Sequence, residues 1–389
     1  MLIPDELIWE VLRWLPVKSL MQFKCVSKTW LSVIKDLSFA KAYCGGYRGL
    51  LSGQPARFQP CNNRCLFYIG LDGGTATTHQ ILPYYILEHE NRDQMILYTD
   101  VVNGLLCFYQ GKHSWLCNVA TREMMQLPSS TDSSEENNFL YHFGFDPINK
   151  HYKLLKTSLG SIEILTVGVD SYWRKVYSLP PVDISSQSAC IGGVLCWIEK
   201  YEPVLVAFHL AEEKFIPIPS PVEPAEIDFY FNEGMDIPYV RLMKFGSSII
   251  VTKEIDAEED SGEILRYCRP DCDGHGSVES GGSWVDVLTQ LRQMDIAGSS
   301  LNTLQIPTAV GVLPNGKMLI YDQKITFPAD LYILDPVRRK QELIKVNASK
   351  ELLDEYDCVC PIEIFGNCSY LEENILPLNY FISSGEIVS

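Results

Sequence analysis

The chain has 389 residues, 46% of them apolar and 21% charged, with 32 Lys/Arg against 49 Asp/Glu for a net charge of −17. That length fits two or three average domains, or one small domain beside a long repeat array. The acidity excludes a chain built mainly to hold nucleic acid, which needs a basic face to neutralise phosphates, and no apolar run approaches the roughly twenty residues that span a bilayer. The sequence therefore predicts a soluble protein whose partners are other proteins.

Residues 1–45 carry helical spacing. Pro4 suits a first helical turn, where its missing N–H costs nothing, and Asp5 and Glu6 complement the positive helix N-terminus. Leu7, Ile8, Val11, Leu12 and Leu15 recur at intervals of three and four and form one apolar face, which Pro16 ends by disfavouring helical geometry at Leu15. A second short helix carries Leu20 and Phe23. Ser27 is placed to cap a third, with Trp30, Val33, Ile34 and Leu37 as its stripe. Asp5, Glu6 and Glu10 interrupt the apolar stretch and no basic segment precedes it, so it does not read as a signal peptide. Three helices in about forty residues lie near the size below which a core needs outside help. Up to Arg48 the chain has seven Lys/Arg against four Asp/Glu, while the remainder has 25 against 45. The contrast suits an acidic partner for the opening segment.

Leu2-Ile3-Pro4-Asp5-Glu6-Leu7, Leu15-Pro16-Val17-Lys18-Ser19-Leu20 and Phe23-Lys24-Cys25-Val26-Ser27-Lys28-Thr29-Trp30, in this order and spacing, resemble the F-box. Trp14 departs from the small or polar residue common there. The resemblance implies a helical domain over 1–45 that binds a Skp adaptor and through it cullin and RING subunits. The contact residues it implies are Ile3, Pro4, Leu7, Val11, Leu12, Leu15, Pro16, Leu20, Phe23, Val26 and Trp30.

Beyond Tyr47 short β-rich runs alternate with Gly, Pro, Asn and Asp turns, and a pattern repeats. Asn103-Gly104-Leu105-Leu106-Cys107-Phe108 is followed by Leu116-Cys117-Asn118-Val119-Ala120-Thr121-Arg122 and a strand ending at Pro128. Gly192-Gly193-Val194-Leu195-Cys196-Trp197 is followed by Val204 to Leu210 and a strand ending at Pro217. Asn315-Gly316-Lys317-Met318-Leu319-Ile320 opens a third copy reaching Ile344. A Gly-led turn followed by three strands is most of a four-stranded propeller blade. The copies begin 89 and 123 residues apart, against roughly 40 to 50 per blade, so unmatched blades lie between them. Trp115, Trp173, Trp197 and Trp284 read as blade core. Cysteines embedded in apolar strands, such as Cys107, Cys117 and Cys196, read as small buried hydrophobes in a reducing compartment.

Phe143-Gly144-Phe145-Asp146-Pro147 with Tyr152-Lys153-Leu154-Leu155, and Ile162 to Thr166 leading to Asp170-Ser171-Tyr172-Trp173-Arg174, resemble the F-box-associated domain of plant F-box proteins, often described as kelch-like propellers. Val119 in place of the usual Pro, His209 in place of a common Asp, and the inserted Tyr172 depart from its pattern, and the last bears on strand register near Trp173. Gly73-Gly74, Gly192-Gly193 and Gly281-Gly282 are too unevenly spaced for a true kelch array. The expected architecture is α+β and multidomain: a small three-helix F-box at 1–45, a linker with the first propeller strands at 46–94, and an all-β, kelch-like propeller of six to seven blades at 95–389.

Chemistry-bearing motifs are sparse. Cys61-x3-Cys65 and Cys268-x3-Cys272 with His275 are looser than usual zinc spacing, and Asp271-Cys272-Asp273-Gly274 lacks the later ligands of a calcium loop. No metal, cofactor or catalytic residue is expected. The acidic, aromatic stretch from Glu223 to Asp236 and the run from Glu254 to Glu263 read as projecting loops, which commonly carry recognition, and Asp228, Phe229, Tyr230 and Phe231 are the candidate target contacts. Together these features predict the target-recognition subunit of an SCF-type ubiquitin ligase, non-catalytic, acting in cytoplasm or nucleus. The alternative is a propeller enzyme or carbohydrate-binding module with an incidental helical cap.

Overall fold

A computed structural model describes residues 5–43 apart from Pro16, the strands at 48–53, 66–70 and 75–80, and residues 97–217 apart from 131–138, 159–160, 178–187 and 199–204. Beyond these it describes the strands of the C-terminal half, Lys317, and residues 374–378 and 380.

The amino-terminal residues form four short helices: α1 (Asp5–Leu12), α2 (Val17–Phe23), α3 (Lys28–Lys35) and α4 (Leu37–Ala42). Ser27 caps α3 as its sequence position predicts, its side chain accepting from the Trp30 amide at 3.1 Å. The third expected helix is divided. Asp36 takes extended geometry at the end of α3, and its carboxylate accepts from the Ser38 and Phe39 amides at 2.7 and 3.3 Å, starting a new helix. A bond from the Ser38 hydroxyl, with those two from the amides, holds the Asp36 carboxyl below its usual range. The change of axis turns Leu37 outward, so the core residue of α4 is Phe39.

Twenty-four strands follow among the described residues. β4 (Leu97–Tyr98), β5 (Leu105–Gln110), β6 (His113–Asn118) and β7 (Glu123–Gln126) form one antiparallel sheet. β8 (Phe139–Asp146), β9 (His151–Ser158), β10 (Ser161–Thr166) and β11 (Arg174–Lys175) form the next. β12 (Ala189–Ile191), β13 (Val194–Ile198), β14 (Leu205–His209) and β15 (Lys214–Pro217) form the third, and β16 (Val240–Phe245), β17 (Ser248–Lys253), β18 (Glu263–Cys268) and β19 (Ser283–Asp286) the fourth.

The remaining strands share one eight-stranded sheet. β20 (Pro307–Val312), β21 (Met318–Asp322), β22 (Ala329–Asp335) and β23 (Lys340–Asn347) make one half. β1 (Arg48–Gly53), β2 (Leu66–Gly70) and β3 (Thr75–Gln80) make the other with β24 (Asn367–Glu372), which pairs with β1 along its length. The halves join through parallel pairing of β23 and β3, Lys345 opposite Thr75. Six four-stranded units thus lie among the described residues, the lower end of the sequence expectation. The unit closing the ring takes strands from both ends of the chain.

The repeated turns explain the repeated sequence. Asn103-Gly104 and Gly192-Gly193 adopt positive φ (52° and 78°, 56° and 84°), as tight two-residue hairpins require. Asn118 to Arg122 and His209 to Glu213 form matching turns, each closed by a 2.8 Å bond from the last amide to the first carbonyl, with the last residue at positive φ. At Gly193 a side chain would also strike the Pro147 ring of the adjoining blade. Trp115, Trp173 and Trp197 are buried, as blade-core residues should be, whereas the Trp284 side chain lies outside the description. Despite the inserted Tyr172, Arg174 faces Ile164 and Lys175 faces Glu163, and Trp173 donates to the Pro128 carbonyl at 2.7 Å. The thiols of Cys107, Cys117, Cys190 and Cys196 are buried, and burial pushes Cys117 up to about 12. Cys107, Cys117 and Cys196 act as apolar filler, while Cys190 Sγ accepts from the Phe145 amide at 3.4 Å.

Polar side chains join the second and third of these sheets. Lys153 donates to the Leu210 carbonyl and to Glu213 at 2.7 and 2.9 Å, and Arg174 grips both Glu213 oxygens at 2.9 Å. Burial alone would raise the Glu213 carboxyl, but these bonds and charges hold it below its usual range.

Candidate functional site

Helix α1 has two apolar faces with different fates. Ile8 and Leu12 enter a core with Val17, Leu20, Ile34 and Phe39, and Trp9 meets Phe39 edge-on at 5.6 Å. Leu7 and Val11 point outward, 55% and 56% exposed, and Trp14 in the following turn is 63% exposed. Spacings of four and three residues put the three on adjacent turns of one side. Arg13 fixes the edge of this strip: its guanidinium lies 5.4 Å from the Trp9 ring and 5.2 Å from the Trp14 ring and bridges to Glu10 at 3.2 Å. Val26, after α2, is 58% exposed, and Leu15, Phe23 and Trp30 are partly covered, with Phe23 and Trp30 edge-on at 5.0 Å. The Tyr43 hydroxyl donates to the Leu15 carbonyl at 2.5 Å, tying the end of α4 to the turn that follows α1.

Of the residues the sequence singles out for adaptor contact, Leu7, Val11 and Val26 are therefore on the surface, with Leu15, Phe23 and Trp30 partly so. Leu12 and Leu20 are buried at 0%, so in this structure they support the surface from beneath, as the hydrophobic filling of a small core. Ile3, Pro4 and Pro16 lie outside the described residues, as do Asp228, Phe229, Tyr230 and Phe231. The Cys61, Cys65, Cys272 and His275 positions lie outside them too, and no group of acidic, His or Cys residues suited to a metal occurs among the described residues. Trp14, which the sequence marks as a departure, is part of the exposed strip.

Sequence reasoning missed residues 374–378 and Tyr380, which join the helices to the propeller. Ile375 fills the helical core, while Leu376, Leu378 and Tyr380 belong to the propeller core, against which Ala40 of α4 also packs. Asn118, fully buried, donates through Nδ2 to the carbonyls of Asn374 and Leu376 at 2.8 and 3.0 Å. Glu123 accepts from the Leu378 amide, and Asn374 donates to the Asn103 carbonyl, each at 3.0 Å. The one cue in the sequence is an apolar run, Ile375-Leu376-Pro377-Leu378, after an acidic stretch.

The described residues thus form a small helical unit, with Leu7, Val11 and Trp14 exposed, packed against a β-propeller. Residues 1–41 match the family model of the F-box domain, and residues 63–234 that of the F-box associated beta propeller domain. The chain is an F-box protein with an F-box-associated propeller. Three Arabidopsis thaliana relatives agree: two described as F-box proteins, 28% and 27% identical over 63% and 59% of this chain, and one described as an F-box/kelch-repeat protein, 26% identical over 56%. The matched regions span 67%, 64% and 58% of those proteins. No helix among the described residues is long and apolar enough to cross a membrane.

Proposed function

We propose that this chain is the target-recognition subunit of an SCF-type ubiquitin ligase, working in cytoplasm or nucleus. The F-box docks a Skp adaptor, which carries the cullin and RING subunits, and the propeller holds a target protein for ubiquitination and degradation. The observation that carries the reading is the exposed strip of Leu7, Val11 and Trp14 on an F-box whose own core is already filled. Large apolar side chains this exposed and contiguous mark a protein-binding face. Leu15, Phe23, Val26 and Trp30, all at least partly exposed, are assigned to adaptor contact as well, together with Ile3, Pro4 and Pro16.

The mechanism is proximity. Tethering a target beside the ubiquitin carrier replaces a bimolecular encounter with a local one of high effective concentration, so no bond is made or broken by a residue of this chain. Target contact is assigned to the propeller, with Asp228 to Phe231 as the candidate residues. Reconstitution tests the whole reading: purified full chain mixed with adaptor, cullin and RING subunits should elute as one assembly. Elution of the chain apart from the adaptor would overturn it.

A further inference from the structure

The last strand of the ring and the seat of the F-box are made by consecutive stretches of chain. β24 pairs with β1 and closes the sheet built from both chain ends. Residues 374–378 then lie against the turns beside β4–β7, where Asn103, Asn118 and Glu123 hold them by hydrogen bonds, and Ile375 enters the helical core. On the far side the Lys41 ammonium of α4 lies 5.7 Å from the Tyr380 ring. Asn118 is bivalent in a revealing way. Its Oδ1 accepts from the Ala120 and Thr121 amides at 3.1 and 3.2 Å, shaping a turn that recurs in the repeat, while its Nδ2 is spent wholly on the carbonyls of Asn374 and Leu376.

We propose that residues 374–378 with Tyr380 are a strap fixing the orientation of the F-box on the propeller, with Asn118 as its positioning residue. Resting on the receptor reading above, this gives the strap a role in ubiquitin transfer: a target on the propeller is presented at one set position relative to an adaptor on α1. A swinging connection would instead spread the target over many positions and dilute the proximity gained by tethering.

The test uses the full chain, Asn118→Asp and Ile375→Ser. Asn118→Asp keeps the oxygen that shapes the turn but replaces the amide donor with an oxygen facing two carbonyls. Ile375→Ser removes the apolar plug and lies outside every blade. Small-angle scattering should show a larger radius of gyration for both variants. Amide exchange of peptides within 28–43 should quicken about tenfold, as expected when hydrogen bonds and a buried contact are lost, with peptides of 139–175 unchanged. Where Asn118→Asp also loosens the blades, Ile375→Ser decides. Unchanged scattering from Ile375→Ser would overturn the proposal. Adaptor capture is measured in parallel: wild-type chain that captures none overturns the receptor reading and leaves the scattering result to judge the strap alone.

Discussion

Leu7 and Ile8 are neighbours in sequence with opposite surroundings: Ile8 is 6% exposed in the F-box core, and Leu7 is 55% exposed on the surface. One residue of helical rotation thus separates a side chain that holds the domain together from one available to a partner.

Exposed positions should tolerate charge without loss of fold. Leu7→Asp and Val11→Asp are expected to shift stability by no more than about 0.5 kcal/mol, the usual range for surface changes. Each should weaken adaptor affinity at least tenfold, since a fully buried Leu or Val contributes roughly 1.5–3 kcal/mol at an interface. Thermal unfolding and titration calorimetry on the same preparations check both halves.

Buried positions should behave in reverse. Leu12→Ala and Leu20→Ala empty space in a core lined by Val17, Ile34 and Phe39, at a cost of about 2–5 kcal/mol each. Much of the stability of so small a unit would be lost. Amide exchange across α1 to α4 should rise steeply while blade peptides stay protected, and adaptor binding should fall through melting of the helices.

The Glu213 junction should appear as acid sensitivity. Asp146 and Glu213 both titrate below their usual values when folded. For Asp146, burial opposes this, but bonds from Asn149 and Ile148 and the Lys153 charge outweigh it. A depressed carboxyl adds stability above its unfolded pKa, near 4, and loses it as pH falls through the folded value. Glu213→Gln should therefore lower stability at pH 7, by roughly 1–3 kcal/mol for hydrogen bonds to charged groups, and flatten the acid limb of a urea-midpoint series below about pH 4.

His142 should set the slope at milder pH. It is 1% exposed, stacked 5.2 Å from Trp197, with Ser188 and Thr157 at 3.1 Å from its two ring nitrogens. Burial lowers it to about 3. Because the folded state resists the proton that the unfolded chain accepts near pH 6.5, stability is complete above that pH and falls below it, by up to about 1.4 kcal/mol per pH unit. Urea midpoints at pH 7 and 5.5 should differ in the wild-type chain, and the difference should shrink in His142→Gln.

What was legible in the sequence was local. The 3.6-residue spacing marked the helices, and Asn103-Gly104 and Gly192-Gly193 marked blade hairpins because few other pairs adopt two successive positive φ values. Which apolar residues of α1 face outward was not legible, since Leu7, Ile8, Val11 and Leu12 are chemically alike and only the packing of Phe39 and Ile34 separates them. Asp36 was hidden as a helix boundary because the apolar stripe runs on through Leu37. The strap left almost no trace: Asn118 and Asn374 stand 256 residues apart, and only the folded ring, in which β24 pairs with β1, brings them together. The parallel joint between β23 and β3 was invisible for the same reason.

If the outer strip of α1 is the adaptor seat, site-specific crosslinking should trap the adaptor there. A photoactivatable residue in place of Val11, and another in place of Tyr177, which is 91% exposed on the propeller, are compared in full chain mixed with purified Skp adaptor. Adaptor joined through position 11 and absent at position 177 is the expected result. Equal yields at both positions, or none at position 11 while the chain still binds adaptor, would contradict it.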